Sequence, residues 1–253
     1  MSGQRAYAEA GCLPDELDTT KGRLAHSNVA ISMNFAARCR VIDEGDPARA
    51  VYAIVSGQVA LSQCLPDGRR QIVELIGAGD VFGFSSADVH SVSAETLTET
   101  QIHRFKRCKV EVVPALQFLM VERLQDQVCR LRDHALLLGR KDAVERVTTF
   151  LISRIARDVL TSGYPEGPTQ VLVLLTRPEI ADYLGLTAET VSRALSALKR
   201  AGLISYSKGR SDLVAVMNVR HLARETGSEL VTGAEAKIHL SNRRRTIRVM
   251  RQG

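Results

Sequence analysis

The sequence predicts an α+β chain in three parts: a β-roll in front, a long helix in the middle and a winged helix-turn-helix behind. Three observations carry that prediction. Between Met33 and Phe105 short apolar runs alternate with turn signals, the texture of an all-β barrel or sandwich. From about Val110 apolar residues recur at spacings of three and four, which is a helical period. Residues 176–202 then hold two short helix patterns joined by a turn containing Gly185. The expected boundaries are an N-terminal arm over 1–28, the β-roll over 29–109, a dimerisation helix over 110–139, the winged helix-turn-helix over 140–220 and a basic tail over 221–253.

The β-region is read from its runs VYAIV (51–55), QVALSQCL (58–65), RQIVELI (70–76) and QIHRF (101–105), separated by EGDPA, SG, PDG and GAGD. Pro66-Asp67-Gly68 suits a hairpin tip, because Pro presets φ for a turn and Gly accepts φ > 0. The helix expected from about 112 to 138 carries Val121, Leu124, Val128, Leu131, Ala135 and Leu138 along one face. Such a seam fits coiled-coil pairing with a second copy, or packing on the chain's own β-domain. Gly139 is expected to break or kink that helix, and residues 141–161 to form another, with Val144, Val147, Leu151, Ile155 and Val159 on one face.

The sharpest pattern begins at Thr176. Thr176-Arg177-Pro178-Glu179 places Thr at an N-cap, Pro in the first turn and Glu at N3, a capping box. Gly185 ends this helix, Thr187 caps the next, and Gly202 stops it. On the second helix Val191, Leu195 and Leu198 share one side, while Glu189, Ser192, Arg193, Ser196 and Arg200 centre on the other. A short polar face led by Arg suits a helix laid in a DNA major groove. Arg bonds bidentately to guanine, and Glu accepts from cytosine N4. Glu189, Ser192 and Arg193 are therefore the candidate base contacts. Thr176, Thr187, Ser196 and Lys199 are candidates for the backbone. Two β-runs, Leu203–Tyr206 and Leu213–Val216, flank a basic tip whose Lys208 and Arg210 could reach phosphates. An ordinary solvated helical hairpin with a solvated turn is the competing reading.

Length and composition agree with this organisation. The chain has 253 residues, 45% apolar and 25% charged, enough for one large or two ordinary domains and inconsistent with disorder over most of its length. No apolar run approaches the ~20 residues that cross a bilayer, and the first residues carry acids where a signal peptide needs an apolar stretch, so a cytoplasmic protein without a membrane partner is expected. Five scattered cysteines with no CxxC pair read as reduced thiols. Residues 1–139 hold 15 basic and 17 acidic side chains, and residues 140–253 hold 19 and 11, so the excess positive charge lies behind, where a polyanion would meet it. Arg243, Arg244, Arg245, Arg248 and Arg251 make the tail basic, either as added DNA affinity or as a solvated end.

The β-roll, the long helix and EIADYLGLTAETVSRALSALKRAGLI with its wing together resemble the CRP/FNR family of bacterial transcription regulators over roughly residues 33–218. ETVSR (189–193) is similar to the FNR and FixK side of that family. The resemblance implies a cyclic-nucleotide-binding-like jelly roll and a homodimer on a palindrome of double-stranded DNA. It also implies a TTGA-type half-site read by Glu189, Ser192 and Arg193, and contact with RNA polymerase if the regulator is an activator. In relatives that bind a cyclic nucleotide, a Glu follows a Gly and an Arg precedes Ser-Ala. Here Phe84 follows Gly83 and Val92 precedes Ser93-Ala94. A cyclic phosphate without that Arg would lose a charge-assisted bidentate contact. Iron–sulfur members carry closely spaced N-terminal cysteines, whereas only Cys12 precedes Cys39 here. No cofactor and no metal are therefore expected, as in the FixK branch. The alternative is an effector-responsive member sensing haem or nitric oxide (His26, His90, His103 and His134 are available), redox state (Cys108, Cys129) or a nucleotide. An enzyme is not expected, since no Walker loop, GxGxxG, GxSxG or HExxH occurs.

Overall fold

The computed structural model describes residues 30–159, 167–207 and 209–225. The expected arm, the tail beyond Glu225 and Lys208 lie outside the described residues, as do Cys12 and His26, whereas residues 221–225 of the expected tail are helical. The first part is all antiparallel: β1 (Ala30–Phe35), β2 (Arg40–Ile42), β3 (Ala50–Ser56), β4 (Gln58–Cys64), β5 (Arg70–Gly77), β6 (Val81–Phe82), β7 (Ser93–Thr96) and β8 (Thr100–Lys106). They form two four-stranded sheets, ordered β1-β8-β3-β6 and β2-β7-β4-β5. Ile54, Phe82 and Ile102 of the first sheet meet Ile42, Val59, Leu61, Ile76 and Ala94 of the second, which makes the core of the roll. The other face of the first sheet is also covered. Val51, Ala53, Val81 and Phe105 pack with Val110, Leu119 and Met120 from the helices that follow. β3 is thus buried on both faces, which is why residues 51–55 form an unbroken apolar run instead of an alternating one. The Pro66-Asp67-Gly68 segment joins β4 to β5, with Gly68 at φ +85° and its N–H bonded to the Leu65 carbonyl.

Three helices follow: α1 (Arg107–Val110), α2 (Pro114–Arg140) and α3 (Ala143–Val159). α2 docks on the roll through Leu119 and Met120 and through one polar contact, that of Gln127, while Arg123 pairs within the helix. Gln127 donates to the buried Glu74 carboxylate of β5. Arg123, only 1% exposed, donates to Asp126 at 2.9 Å. Gly139 does not break α2, which continues to Arg140. A helical glycine costs only about 1 kcal/mol against alanine, too little to end a long helix by itself. The break comes at Asp142, whose carboxylate accepts from the Val144 and Glu145 N–H groups while Glu145 accepts from the Asp142 N–H. That reciprocal cap starts α3. Val147, Leu151 and Ile155 are buried on α3, Val144 is half-buried, and the Val159 side chain lies outside the described residues.

The last part comprises β9 (Thr169–Leu172), α4 (Arg177–Leu184), α5 (Ala188–Arg200), β10 (Ile204–Ser207), β11 (Arg210–Val216) and α6 (Val219–Glu225). Its sheet runs β10-β11-β9. The hairpin expected from residues 203–216 is present, but its tip is shorter than the sequence suggested, because β11 begins at Arg210. The chain divides into two compact units, with the boundary between Val128 and Cys129 inside α2.

One expectation about cysteine is corrected. Cys64, Cys108 and Cys129 are free and exposed, as reduced thiols would be, but Cys39, buried immediately before β2, is disulfide-bonded. Spacing along the chain detects only local pairs, and folding can join cysteines distant in sequence.

Candidate DNA interface

The helix-turn-helix is built by local rules. Thr176 has extended backbone and accepts from the Glu179 N–H, while Glu179 accepts from the Thr176 N–H at 2.7 Å. Pro178 sits in the first turn, where no N–H is needed. Gly185 closes α4 in the left-handed region at φ +61°, a conformation that other residues rarely adopt. Thr187 then caps α5 by accepting from the Thr190 N–H at 3.1 Å. The far end of α5 closes with Gly202 N–H on the Lys199 carbonyl and Leu203 N–H on the Leu198 carbonyl, a Schellman motif.

α5 is divided sharply into two faces. Val191, Ala194, Leu195 and Leu198 are buried, and α5 packs against α3 and α4. Thr187, Glu189, Ser192, Arg193, Ser196, Lys199 and Arg200 are all exposed. Arg193 lies one turn from Glu189, with Nη1 to Oε1 at 3.8 Å and both side chains at least 70% exposed. Such an exposed pair holds little energy and is free to exchange for base edges. The Ser192 hydroxyl donates to the Ala188 carbonyl at 2.9 Å.

Beside this face an open cleft of about 520 Å³ is lined by Arg177, Ser192, Leu195, Ser196, Tyr206, Ser207 and Gly209. The structure therefore brings Ser192 and Ser196 together with the start of α4 and the wing hairpin. Thr176 is exposed immediately before Arg177. Arg210 opens β11, but its side chain lies outside the described residues. Two residues here were missed from sequence. Arg177 Nη2 donates to the Tyr206 hydroxyl at 3.1 Å, and its guanidinium lies 5.7 Å from the ring centroid. Lys199 Nζ lies 5.7 Å from the same ring. Tyr206 thus sits between two cations, which its π-face attracts. Only the position of Arg177 next to a helix N-cap could have signalled this, and nothing in the hairpin sequence marked Tyr206.

The seam residues of α2 are not buried within the chain. Val121, Val128, Leu131 and Ala135 are exposed, and Leu124 and Leu138 half-buried. Phe118 and Leu136 add exposed apolar surface to the same helix.

Comparisons with known proteins match this anatomy. The cyclic nucleotide-binding domain family matches residues 32–113, and the Crp-like helix-turn-helix domain family matches residues 145–225. The nitrogen fixation regulation protein FixK of Azorhizobium caulinodans is 37% identical over 188 residues, which cover 71% of this chain and 73% of that protein. The chain belongs to the CRP/FNR family, on its FixK-like side. Within the family, the transcriptional activator protein FnrL of Cereibacter sphaeroides is 33% identical over 225 residues, covering 87% of this chain and 88% of that one. The solved structure of FixK2 from Bradyrhizobium japonicum superposes with a TM-score of 0.67 at 32% identity, covering 81% of this chain and all of that one. This CRP/FNR protein is accordingly a transcription regulator with a helix-turn-helix DNA-binding domain.

The roll of this CRP/FNR member carries its own substitutions. Phe84 packs against the cluster of Val51, Phe105 and Leu119, and Val92 packs against the inner core. Ser93 accepts from the Glu44 N–H at 2.9 Å and so serves a turn. Gly83 has φ +88°, and a Cβ there would stand 2.8 Å from Tyr52 Cδ2, so this loop lies tight against β3. His90 and His103 are buried, and burial lowers both imidazole pKa values, opposed at His90 by Asp46. Among the described residues no group of three or more His, Cys, Asp or Glu side chains is gathered for a metal. No helix among them is long and apolar enough to cross a membrane.

Proposed function

We propose that this CRP/FNR regulator is a cytoplasmic homodimer that reads a TTGA-type palindrome with α5 and needs no bound cyclic nucleotide, haem or iron–sulfur cluster. Glu189, Ser192 and Arg193 contact base edges. Thr176, Thr187, Ser196, Lys199, Lys208 and Arg210 contact the backbone. Val121, Leu124, Val128, Leu131, Ala135 and Leu138 pair the two protomers. The observation that carries the reading is the division of α5, with four apolar side chains buried and the polar ones presented together outward. What supports pairing is the apolar surface left exposed along α2, which burial against a second copy would remove from water. What supports effector-free binding is the apolar packing of Phe84 and Val92 at the two places where relatives that hold a cyclic phosphate carry charge. No catalytic role is assigned. Activation would follow from contact with RNA polymerase at a suitably placed site.

The test is purified, metal-free protein titrated onto a TTGA…TCAA palindrome, with and without air and added nucleotides. Two protomers per duplex and one affinity under all conditions are expected. A requirement for a nucleotide, or a coloured preparation that loses binding in air, overturns the effector-free part. Indifference to the palindrome overturns the DNA reading itself.

A further inference from the structure

Arg146, on the first turns of α3, is bonded to the ends of two other helices. Its Nε donates to the Lys141 carbonyl at 2.8 Å and its Nη2 to the Leu138 carbonyl at 2.7 Å. Its Nη1 donates to the Leu184 carbonyl at 3.0 Å and the Gly185 carbonyl at 3.4 Å. Leu138 lies in the last turn of α2, and Leu184 is the last residue of α4. The final carbonyls of a helix have no partner within it, and they are the negative end of its dipole. Two such ends brought together repel unless a cation stands between them. The guanidinium supplies that charge and satisfies four carbonyls at once, which its rigid fork of five donors allows and an ammonium does not.

Two further contacts tie the same helices. The His134 ring of α2 stacks on Tyr183 of α4, centroids 4.4 Å apart and planes 25° from parallel. A Cβ at Gly185 would lie 3.4 Å from Leu138 Cδ2 and 3.6 Å from Arg146 Nη1, so α4 ends in direct contact with this turn of α2. All of these residues belong to one compact unit.

We infer that Arg146 is a positioning residue for DNA recognition. It clasps the helix-turn-helix to the C-terminal end of α2, so the orientation of α5 is set by α2 and not by a free hinge at residues 141–142. In a dimer paired through α2, the clasp therefore fixes the separation and rotation of the two recognition helices. This rests on the dimeric, palindrome-reading function proposed above.

The experiment uses the full chain and its Arg146→Ala and Arg146→Lys variants. Each is titrated onto an intact palindrome, a duplex with one half-site scrambled, and palindromes whose spacer is lengthened or shortened by one base pair. Circular dichroism and light scattering check fold and dimer, and Arg146→Lys, which keeps the charge but not the fork, serves if the alanine variant does not fold. Wild type should prefer the intact palindrome and reject altered spacers. The variants should keep the affinity for a single half-site, lose about tenfold or more of the palindrome preference, and tolerate the altered spacers. A merely structural arginine would lower half-site and palindrome affinity together, and that result overturns the inference. So does an unchanged spacer preference in a folded variant. If wild type itself shows no palindrome preference, the dimeric reading fails first and the clasp with it.

Discussion

Arg193 shows how far a single side chain can be understood from its helix alone. It is exposed, one turn from Glu189, on a helix whose opposite side is buried, and its place follows from periodicity. Arg193→Ala should weaken binding at the specific site by roughly 1–3 kcal/mol and relax base preference there. Lys208→Ala should instead weaken all sequences alike and flatten the salt dependence by about one phosphate contact. Competition titrations against half-sites mutated base by base distinguish the two, and an unchanged preference after Arg193→Ala would show that α5 is not the reader. Arg177 and Tyr206 were not legible in this way, because their contact joins residues 29 positions apart. The buried His90 and His103 and the half-buried His134 make a second prediction. Desolvation lowers the pKa of His90, His103 and His134 from the ordinary 6.5, partly offset at His90 by Asp46. The unfolded chain then binds more protons than the folded one as pH falls through 6.5. Stability is full above that pH and is lost below it. Denaturant midpoints should fall between pH 7.5 and 5.5, and His103→Gln should flatten the dependence. A midpoint that rises on acidification would contradict it.

Among the elements, those with local signals were readable and those defined by their neighbours were not. α4 and α5 begin and end where Thr176, Gly185, Thr187 and Gly202 place them, since caps act over three or four residues. β3, β4, β5 and β8 stand out as short apolar-containing runs bounded by turn signals. β1 is mostly exposed, β6 has two residues, and β9 joins its sheet only by pairing with β11, so none of them carries a clear pattern of its own. The break between α2 and α3 follows the Asp142–Glu145 cap and not Gly139, because a paired cap decides where a helix begins while one glycine only weakens it. The exposed seam of α2 gives a prediction at this scale. Val128→Glu with Leu131→Glu removes two apolar side chains from each protomer, and each is worth about 1.5–3 kcal/mol when fully buried. Sedimentation should show monomers at concentrations where the unaltered chain is dimeric, with loss of palindrome binding. A dimer that persists would move the pairing surface elsewhere.

At the scale of the whole molecule, the roll and the helix-turn-helix belong to two compact units whose boundary falls inside α2. Phe84 and Val92 pack with apolar neighbours at the two positions where relatives that hold a cyclic nucleotide carry charge. Calorimetric titration of cyclic nucleotides into the full chain should give no saturable heat, and DNA affinity should be the same in their presence. A submillimolar isotherm linked to tighter DNA binding would restore a sensory role to the roll.

The amino-acid sequence by itself determined the class of the molecule, the two helices of the reading head and the side chains on their outer face. Those features depend on helical period and on caps, which are interactions between near neighbours. Only the tertiary structure decided that Arg146 joins the ends of α2 and α4, that Tyr206 stands between Arg177 and Lys199, and that Cys39 is bonded rather than free. Arg146 meets Leu184 38 positions along the chain and Arg177 meets Tyr206 29 positions along, and no period or spacing records which distant groups folding will bring within bonding distance.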